Sequence, residues 1–326
     1  MPSNAVSLRL PNRIFTSDQP AIMAILNITP DSFSDGGRFA KGRDNSFTPD
    51  LDAIVDAAKL AIKNGASILD VGGESTKPGI DPIDEAEELR RVVPVVRALK
   101  KAVDVPISVD TYRPATADAV IAEGAEIIND ISGGRYLDSS QRFADEMEFG
   151  FPEEMAEVVA RSGAAVVLMH MRGTPKTMQT TPPEYPSGVV EEVAAFLKRR
   201  RDAFVDAGVE AERIVLDPGL GLFGKTFEQN WSLVSGIEQL RTLGAPLLYG
   251  FSRKRFLRET FARYYKDSGA PLPDGTPDQR TLDFETATLC AILAAQKVEI
   301  LRVHNVQATA LALRIARYST SQVEEA

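Results

Sequence analysis

At eight places in the chain a short apolar run ends on a polar or charged side chain. In order these are Asn27, Asp70, Asp110, Asn129 with Asp130, His170, Asp217, the triplet Ser252-Arg253-Lys254, and Arg302 with His304. A single Asp after a strand usually caps a helix or anchors a loop, and Asp70 and Asp130 suit that role. A whole ring of such groups is different, because carboxylates, amides and cations resist burial unless they are paired or liganded. Asp110, Asn129, Asp217 and Lys254 offer acceptors, one amide and one cation. A carboxylate pairs well with a planar group that presents two N–H donors. An amide bonds both a donor and an acceptor on a ring edge. Together they suit a flat heterocycle with a guanidine-like edge and a carbonyl, such as a pterin or a guanine. Arg253, Arg255, Arg302 and His304, with Lys77 nearby, suit a phosphate or diphosphate whose departure needs cations. Arg253 and Arg255 serve equally well as the start of a solvated helix.

The elements that carry these residues follow from the pattern of apolar positions. Strand-length apolar runs fall at about 22–26, 66–71, 105–110, 126–130, 164–169, 212–216, 246–249 and 298–303. Helical patterns fall between and after them, at about 51–64, 83–101, 114–123, 151–162, 189–207, 229–243, 284–296 and 307–317. Pro94 inside the second of these predicts a kink. Strands that alternate with helices imply a parallel sheet, and eight such units over roughly 290 residues imply one closed (β/α)8 TIM barrel of the α/β class. The polar strand ends would then share one mouth. A doubly wound open sheet would need a glycine-rich first turn of the dinucleotide type, and Asn27-Ile28-Thr29-Pro30-Asp31-Ser32 does not supply it. Residues 1–20 read as a lead-in with a short hairpin, 21–320 as the barrel, 135–150 as an insertion after the fourth strand, and 321–326 as an acidic tail.

Composition narrows the function classes. The net charge of −9 argues against nucleic acid as a general partner. No apolar run approaches the roughly 18 residues of a membrane span, and the first twenty residues lack a signal-peptide core. The single cysteine, Cys290, excludes a disulfide within the chain and reads as a small buried apolar residue. These features predict a cytoplasmic protein with no membrane partner. The two histidines have no spacing that would make a zinc site. The stretch GLFGKT resembles the end of a phosphate loop but lacks that motif's glycine spacing.

The segments NITPDSFSDGG, GGESTKPG, SVDT, INDISGG, LMHMRGTPKTMQ, LDPGLG, SRKRF and RVH occur in this order between about Ile22 and Ala316. Together they resemble the dihydropteroate synthase family. The resemblance implies condensation of 6-hydroxymethyl-7,8-dihydropterin diphosphate with 4-aminobenzoate, releasing diphosphate, in folate biosynthesis. It implies that Asp110, Asn129, Asp217 and Lys254 hold the pterin. It implies that Asn27 ligates Mg2+, and that Asn27, Ser75, Thr76, Arg302 and His304 form the diphosphate site. Phe33, Thr76, Lys77, Pro78 and Ser252 would shape the 4-aminobenzoate pocket, with the loops at about 28–39 and 72–80 closing over it. Asp110, Lys254, Arg302 and His304 would act in catalysis. A homodimer and sensitivity to sulfonamides are further implications. The alternative is a non-catalytic or methyl-transferring pterin-binding barrel, which would share the Asp and Asn contacts; retention of Asn27, Thr76, Arg302 and His304 favours the synthase. The chain departs from the family pattern at Lys77 (usually Arg), at Asn305 (usually Asp), at Leu222-Phe223, which is one residue longer than usual, and at the 135–150 insertion.

Overall fold

A run such as Ala21–Asn27 is too short for a helix and too apolar for a surface strand, and a parallel sheet covered on both faces accepts it. The computed structural model describes residues 6–17, 19–29, 40–41, 47–75, 82–137, 154–173, 178, 184–221, 223–268 and 278–321. Its eight barrel strands are Ala21–Asn27, Ile68–Gly72, Ile107–Asp110, Ile127–Asp130, Ala165–Met169, Ile214–Asp217, Leu248–Tyr249 and Ile300–Val303. All are parallel to their neighbours, and each strand pairs with the next from the first to the sixth, while the eighth pairs with the first and the seventh. A parallel bridge between Leu216 and Leu247 joins the sixth and seventh strands and closes the barrel.

Alternation along the strands makes two cores. Met23, Ile68, Ile127, Val167, Val215, Leu248 and Ile300 fill the inside of the barrel. Residues one step out of phase, such as Ala24, Leu69, Val109, Ile128, Leu168 and Leu301, pack outward against the helices. The lead-in does form a hairpin, Val6–Arg9 against Ile14–Ser17. Its Leu8, with Leu10 at the turn, joins the inner core, and Arg13 donates to Glu126 at 2.8 and 3.0 Å.

Helix ends follow capping chemistry. Asp50, Asp84 and Asp278 accept from backbone amides in the first turns of Leu51–Lys63, Glu85–Ala102 and Gln279–Ala295. The Glu85–Ala102 helix runs through Pro94 without a break. The pattern expected at 229–243 is two helices, Phe227–Ser235 and Ile237–Arg241. They meet at Gly236, where a Cβ would lie 2.6 Å from Val190. Residues 138–150 of the expected insertion lie outside the described residues. Arg135 and Tyr136 at its start are buried. Cys290 is fully buried, and burial pushes its thiol up to about 12. Among the described residues no helix is long and apolar enough to cross a membrane.

Candidate active site

Strand phase decides which of the polar strand ends reach the mouth. Asn27, Asp70, Asp110, Asn129, Asp217, Arg302 and His304 all lie an even number of residues from an inward-facing core residue of their own strand or, for Asp110, of the paired neighbour. They therefore point into the barrel. Asp130 and His170 are out of phase. Asp130 turns outward and accepts from Ser132 N at 2.8 Å, Ser132 Oγ at 2.6 Å and Gly134 N at 2.7 Å, which makes it an anchor of its own loop. His170 is fully buried behind the strands, edge-on to Phe196 at 4.9 Å, and does not line the mouth.

Arg302 organises the centre. Its Nε donates to Asp70 at 2.6 Å and its Nη2 donates to Asp110 at 2.7 Å. Asp70 is completely buried and also accepts from Ser108 Oγ at 2.6 Å and Asn129 Nδ2 at 3.4 Å. It is not the loop anchor that its position suggested. Burial pushes Asp110 up to about 7 against the pull of Arg302, with Asp70 and Glu88 adding to the rise. Burial opposes the charge on Arg302, but Asp70 and Asp110 outweigh it and hold the guanidinium firmly protonated.

The loop after the sixth strand builds the opposite wall. Asp217 Oδ1 accepts from Gly219 N at 2.7 Å. Burial raises Asp217, against Lys254, the Gly219 amide, Lys225 and Arg302. Lys254 Nζ donates to Leu220 O at 2.6 Å and lies 4.4 Å from the Phe223 ring centroid. Of the pair Leu222-Phe223, the described residue is Phe223, and it carries the aromatic contact. Burial lowers Lys254 to about 8, against the pull of Asp217. Gly221 is at φ +112°, and a Cβ there would lie 2.5 Å from the Lys254 side chain. The lysine passes over this bare backbone, which only glycine leaves open.

The cations divide. Arg255 is exposed at the start of the helix Arg255–Ser268. Arg253 is at φ 59° and donates to Asp283 at 2.6 and 3.0 Å, so it ties the seventh strand end to the helix Gln279–Ala295. Asn305 donates to the same carboxylate at 2.8 Å and accepts from Ala308 N at 3.0 Å, capping the last helix. Asp283 thus gathers both strand ends, and the sequence held no signal for it beyond one Asp in a helix. His304 remains at the mouth, its Nδ1 3.0 Å from Ser252 Oγ and its backbone N–H donating to that oxygen at 3.2 Å.

On the far side, Asn27 Oδ1 and Asp110 Cβ flank Gly72, 3.6 and 3.7 Å from where its Cβ would be. Glu74, next to Ser75, accepts from Tyr112 Oη and Arg113 Nη2, both at 2.7 Å. Arg113 also donates to Glu88 at 2.9 Å and is itself buried. This network fixes the root of the GGEST loop. It was missed in the sequence because its charges lie on three separate elements. Phe33, Thr76, Lys77 and Pro78 lie outside the described residues. The site as described can accept N–H donors from a flat ring at Asp110 and Asp217 and meet an anion at Arg302 and His304.

A family model described as pterin binding enzyme matches residues 23–304. A dihydropteroate synthase from Synechocystis is 37% identical over 295 residues, covering 90% of this chain and 88% of the relative. A Yersinia pestis dihydropteroate synthase, solved as a sulfonamide drug complex, superposes with a TM-score of 0.78 at 32% identity, covering 97% of this chain and 99% of that one. A Xanthomonas albilineans dihydropteroate synthase in complex with 7,8-dihydropteroate superposes with a TM-score of 0.72 at 34% identity, covering 96% and 98%. With strands, site and sequence agreeing over nearly its whole length, the chain belongs to the dihydropteroate synthase family of pterin-binding enzymes.

Proposed function

We propose that this barrel mouth carries out the dihydropteroate synthase reaction with the following division of roles. Asp217, Asn129 and Asp110 take the donors and acceptors of the pterin edge, and Lys254 and Phe223 meet its ring. Arg302 and His304, with Ser75 and Thr76, take the diphosphate. Ser252, with Phe33, Thr76, Lys77 and Pro78, forms the 4-aminobenzoate pocket. The observation that carries this reading is that Asp110, Asn129 and Asp217, from three strands, share the inward face with Arg302, while Lys254 lies over Phe223.

The bond from the pterin methylene to the diphosphate oxygen breaks, and its electron pair leaves with the diphosphate. The amine of 4-aminobenzoate then donates its lone pair to the methylene carbon and releases a proton to solvent. In these roles Asp110, at the pterin edge, stabilises positive charge on the methylene, and Arg302 and His304 stabilise the departing anion. Asn27 presents a hard amide oxygen at the mouth, which suits Mg2+. Among the described residues no three His, Cys, Asp or Glu gather as a metal site. Asn27 would hold the ion, with substrate phosphate oxygens and water able to complete its ligands, as magnesium commonly takes them. Bound there, magnesium supplies charge to the leaving diphosphate.

A homodimer suits the exposed apolar face of the last two helices, where Phe284, Ile292, Leu311, Ile315 and Tyr318 are between 47% and 72% exposed. A reducing cytoplasm suits the single buried thiol. The test is product formation from the pterin diphosphate and 4-aminobenzoate, followed by chromatography with magnesium and with chelator. Magnesium-dependent dihydropteroate supports the assignment. Tight binding of a plain pterin without any product would instead favour a binding barrel. Light scattering of the purified chain tests the dimer.

A further inference from the structure

One buried cation has no part in the roles above. Lys225 is 7% exposed and ends the GLFGK stretch. Its ammonium donates to Gly219 O at 2.9 Å, Phe223 O at 3.3 Å and His170 O at 3.4 Å, and lies 3.0 Å from His170 Nδ1. Burial, with Lys225 adding to it, holds the His170 imidazole well below its usual pKa. A neutral ring can accept from the ammonium at Nδ1. Burying an ammonium is expensive unless its donors are satisfied, and these contacts come from both sides of the loop that carries Asp217.

Two of the three bonded carbonyls bear on the pterin wall. The Gly219 residue offers its carbonyl to Lys225 and its N–H to the Asp217 carboxylate. Gly219 sits at φ +68°, and its Cβ position would be 2.0 Å from His170 O, so the turn is pressed against the fifth strand end. The fifth and sixth strand ends are also joined by His170 N donating to Asp217 O at 2.9 Å. The second carbonyl belongs to Phe223, whose ring faces the Lys254 ammonium. One ammonium beneath the loop therefore ties down the backbone next to an acceptor and, together with the Arg172 N–H on the Phe223 carbonyl, the backbone of an aromatic surface. Asp217 itself is faced by Lys254 from the seventh strand end, by Arg302 from the eighth strand and by Lys225 from its own loop.

We propose that Lys225 is a positioning residue for pterin recognition, acting through the two peptide groups that flank the Gly219 Cα on Asp217 and through the Phe223 carbonyl on the ring surface. This rests on the assignment of Asp217 and Phe223 to the pterin. Without the ammonium, the Gly219 carbonyl loses its donor, the Phe223 carbonyl keeps only the Arg172 N–H at 3.3 Å, and the turn is free to release Asp217. Pterin binding then suffers, while the 4-aminobenzoate pocket on the other loops does not.

The test uses the full chain with Lys225→Met and Lys225→Gln, reading plain pterin affinity by calorimetry and KM for each substrate. Lys225→Met is expected to weaken pterin about tenfold or more, the scale of one lost buried hydrogen bond to a charged group. KM for 4-aminobenzoate is expected to stay within about twofold, inside the usual scatter for a site with no lost contact. Lys225→Gln, which keeps a donor for Gly219, is expected to fall between Lys225→Met and the wild type. A purely structural lysine would lower the melting temperature without separating the two substrates. Equal losses for both substrates, or unchanged pterin affinity in a folded Lys225→Met, would overturn the proposal, as would failure of both variants to fold. Failure of the underlying assignment looks different, because Asp217→Ala would then bind pterin as the wild type does.

Discussion

The guanidinium of Arg302 lies 2.7 Å from the carboxylate of Asp110, although the sequence had set the first aside for the diphosphate and the second for the pterin. On the proposed assignment, the two ends of the substrate would meet at one ion pair. Its other arm, to Asp70, fixes the plane of the guanidinium. On that assignment the guanidinium that would meet the diphosphate also holds the Asp110 carboxylate in place and charged, so anion binding and pterin recognition would be coupled through it.

This coupling predicts the behaviour of Arg302→Ala. Removing one member of a buried pair costs about 3–5 kcal/mol, because the remaining charge is left without compensation. Here two carboxylates are left. Affinity for the diphosphate substrate should fall most, and plain pterin should also bind several-fold more weakly. Arg302→Lys keeps the charge but not the two-armed geometry, so it should restore stability more than affinity. Calorimetry with both ligands tests this, and plain pterin binding at full strength to Arg302→Ala would refute the coupling.

Asp70→Asn separates support from contact. Asp70 is fully buried, and its role is to hold Arg302 and accept from Ser108. The amide keeps one acceptor but turns a donor toward a guanidinium that has only donors. KM for the pterin diphosphate should rise while 4-aminobenzoate is unaffected, and steady-state kinetics in both substrates reads this directly. A change confined to kcat would mean that Asp70 acts on the chemistry and not on the placement of Arg302.

The pH dependence follows from two opposed shifts. Burial pushes Asp110 up to about 7, so its carboxylate is available above that pH and is lost as pH falls through it. Burial lowers Lys254 to about 8, so its ammonium is present below that pH and is lost as pH rises through it. Pterin affinity should trace a narrow bell with its optimum between these values. The two limbs are properties of the whole charged cluster and not of isolated residues. Asp110→Asn should flatten the acid limb and Lys254→Met the basic one. A flat profile between pH 6 and about 9 in the wild type would show that neither group titrates in the site.

The barrel was readable because its strands are short and apolar and its helices amphipathic. Capping signals such as Asp50 and Asp278 refined the boundaries. The polar ring was readable as a ring, but not which members face inward. Strand phase resolves this: Asp130 and His170 stand one residue out of step with Asn129 and Met169, and counting back along each strand would have separated them. The links from Arg302 to Asp70 and from Arg253 to Asp283 span 232 and 30 residues. No local pattern encodes such contacts, because they depend on how closed strands bring distant side chains together. The buried Arg135 looked polar for the same reason, since its partners Ser132 O and Met171 O are backbone carbonyls that sequence type does not reveal.

Two glycines of the same turn should fail in different ways. A Cβ at Gly219 meets the fixed carbonyl of His170, whereas one at Gly221 meets the flexible stem of Lys254. Gly219→Ala should therefore lower the melting temperature strongly, adding the strain of a positive φ, about 1 kcal/mol or more, to a backbone clash. Gly221→Ala should fold with a smaller loss but bind pterin poorly, because Lys254 must leave its place over Phe223. Thermal melts and pterin calorimetry on the two variants separate the cases. Equal stability losses with equal affinities would contradict the role given to Gly221.

Asn305 stands where the family usually has Asp, and its environment explains why the amide suits this chain. Its Nδ2 donates to Asp283 at 2.8 Å while Asp283 accepts two bonds from Arg253. Asn305→Asp keeps an oxygen to cap the last helix, since Asp and Asn cap about equally well. It also sets a second carboxylate against Asp283 in place of a donor, which should cost about 1–3 kcal/mol of stability. The eighth strand end should loosen with it, raising KM for the pterin diphosphate through His304. Asp283→Asn in the same chain should recover most of that stability, because an amide can donate to the new carboxylate. A double-mutant cycle measures the coupling. Additive losses in that cycle would mean that the Asn305–Asp283 hydrogen bond contributes nothing to holding the strand end.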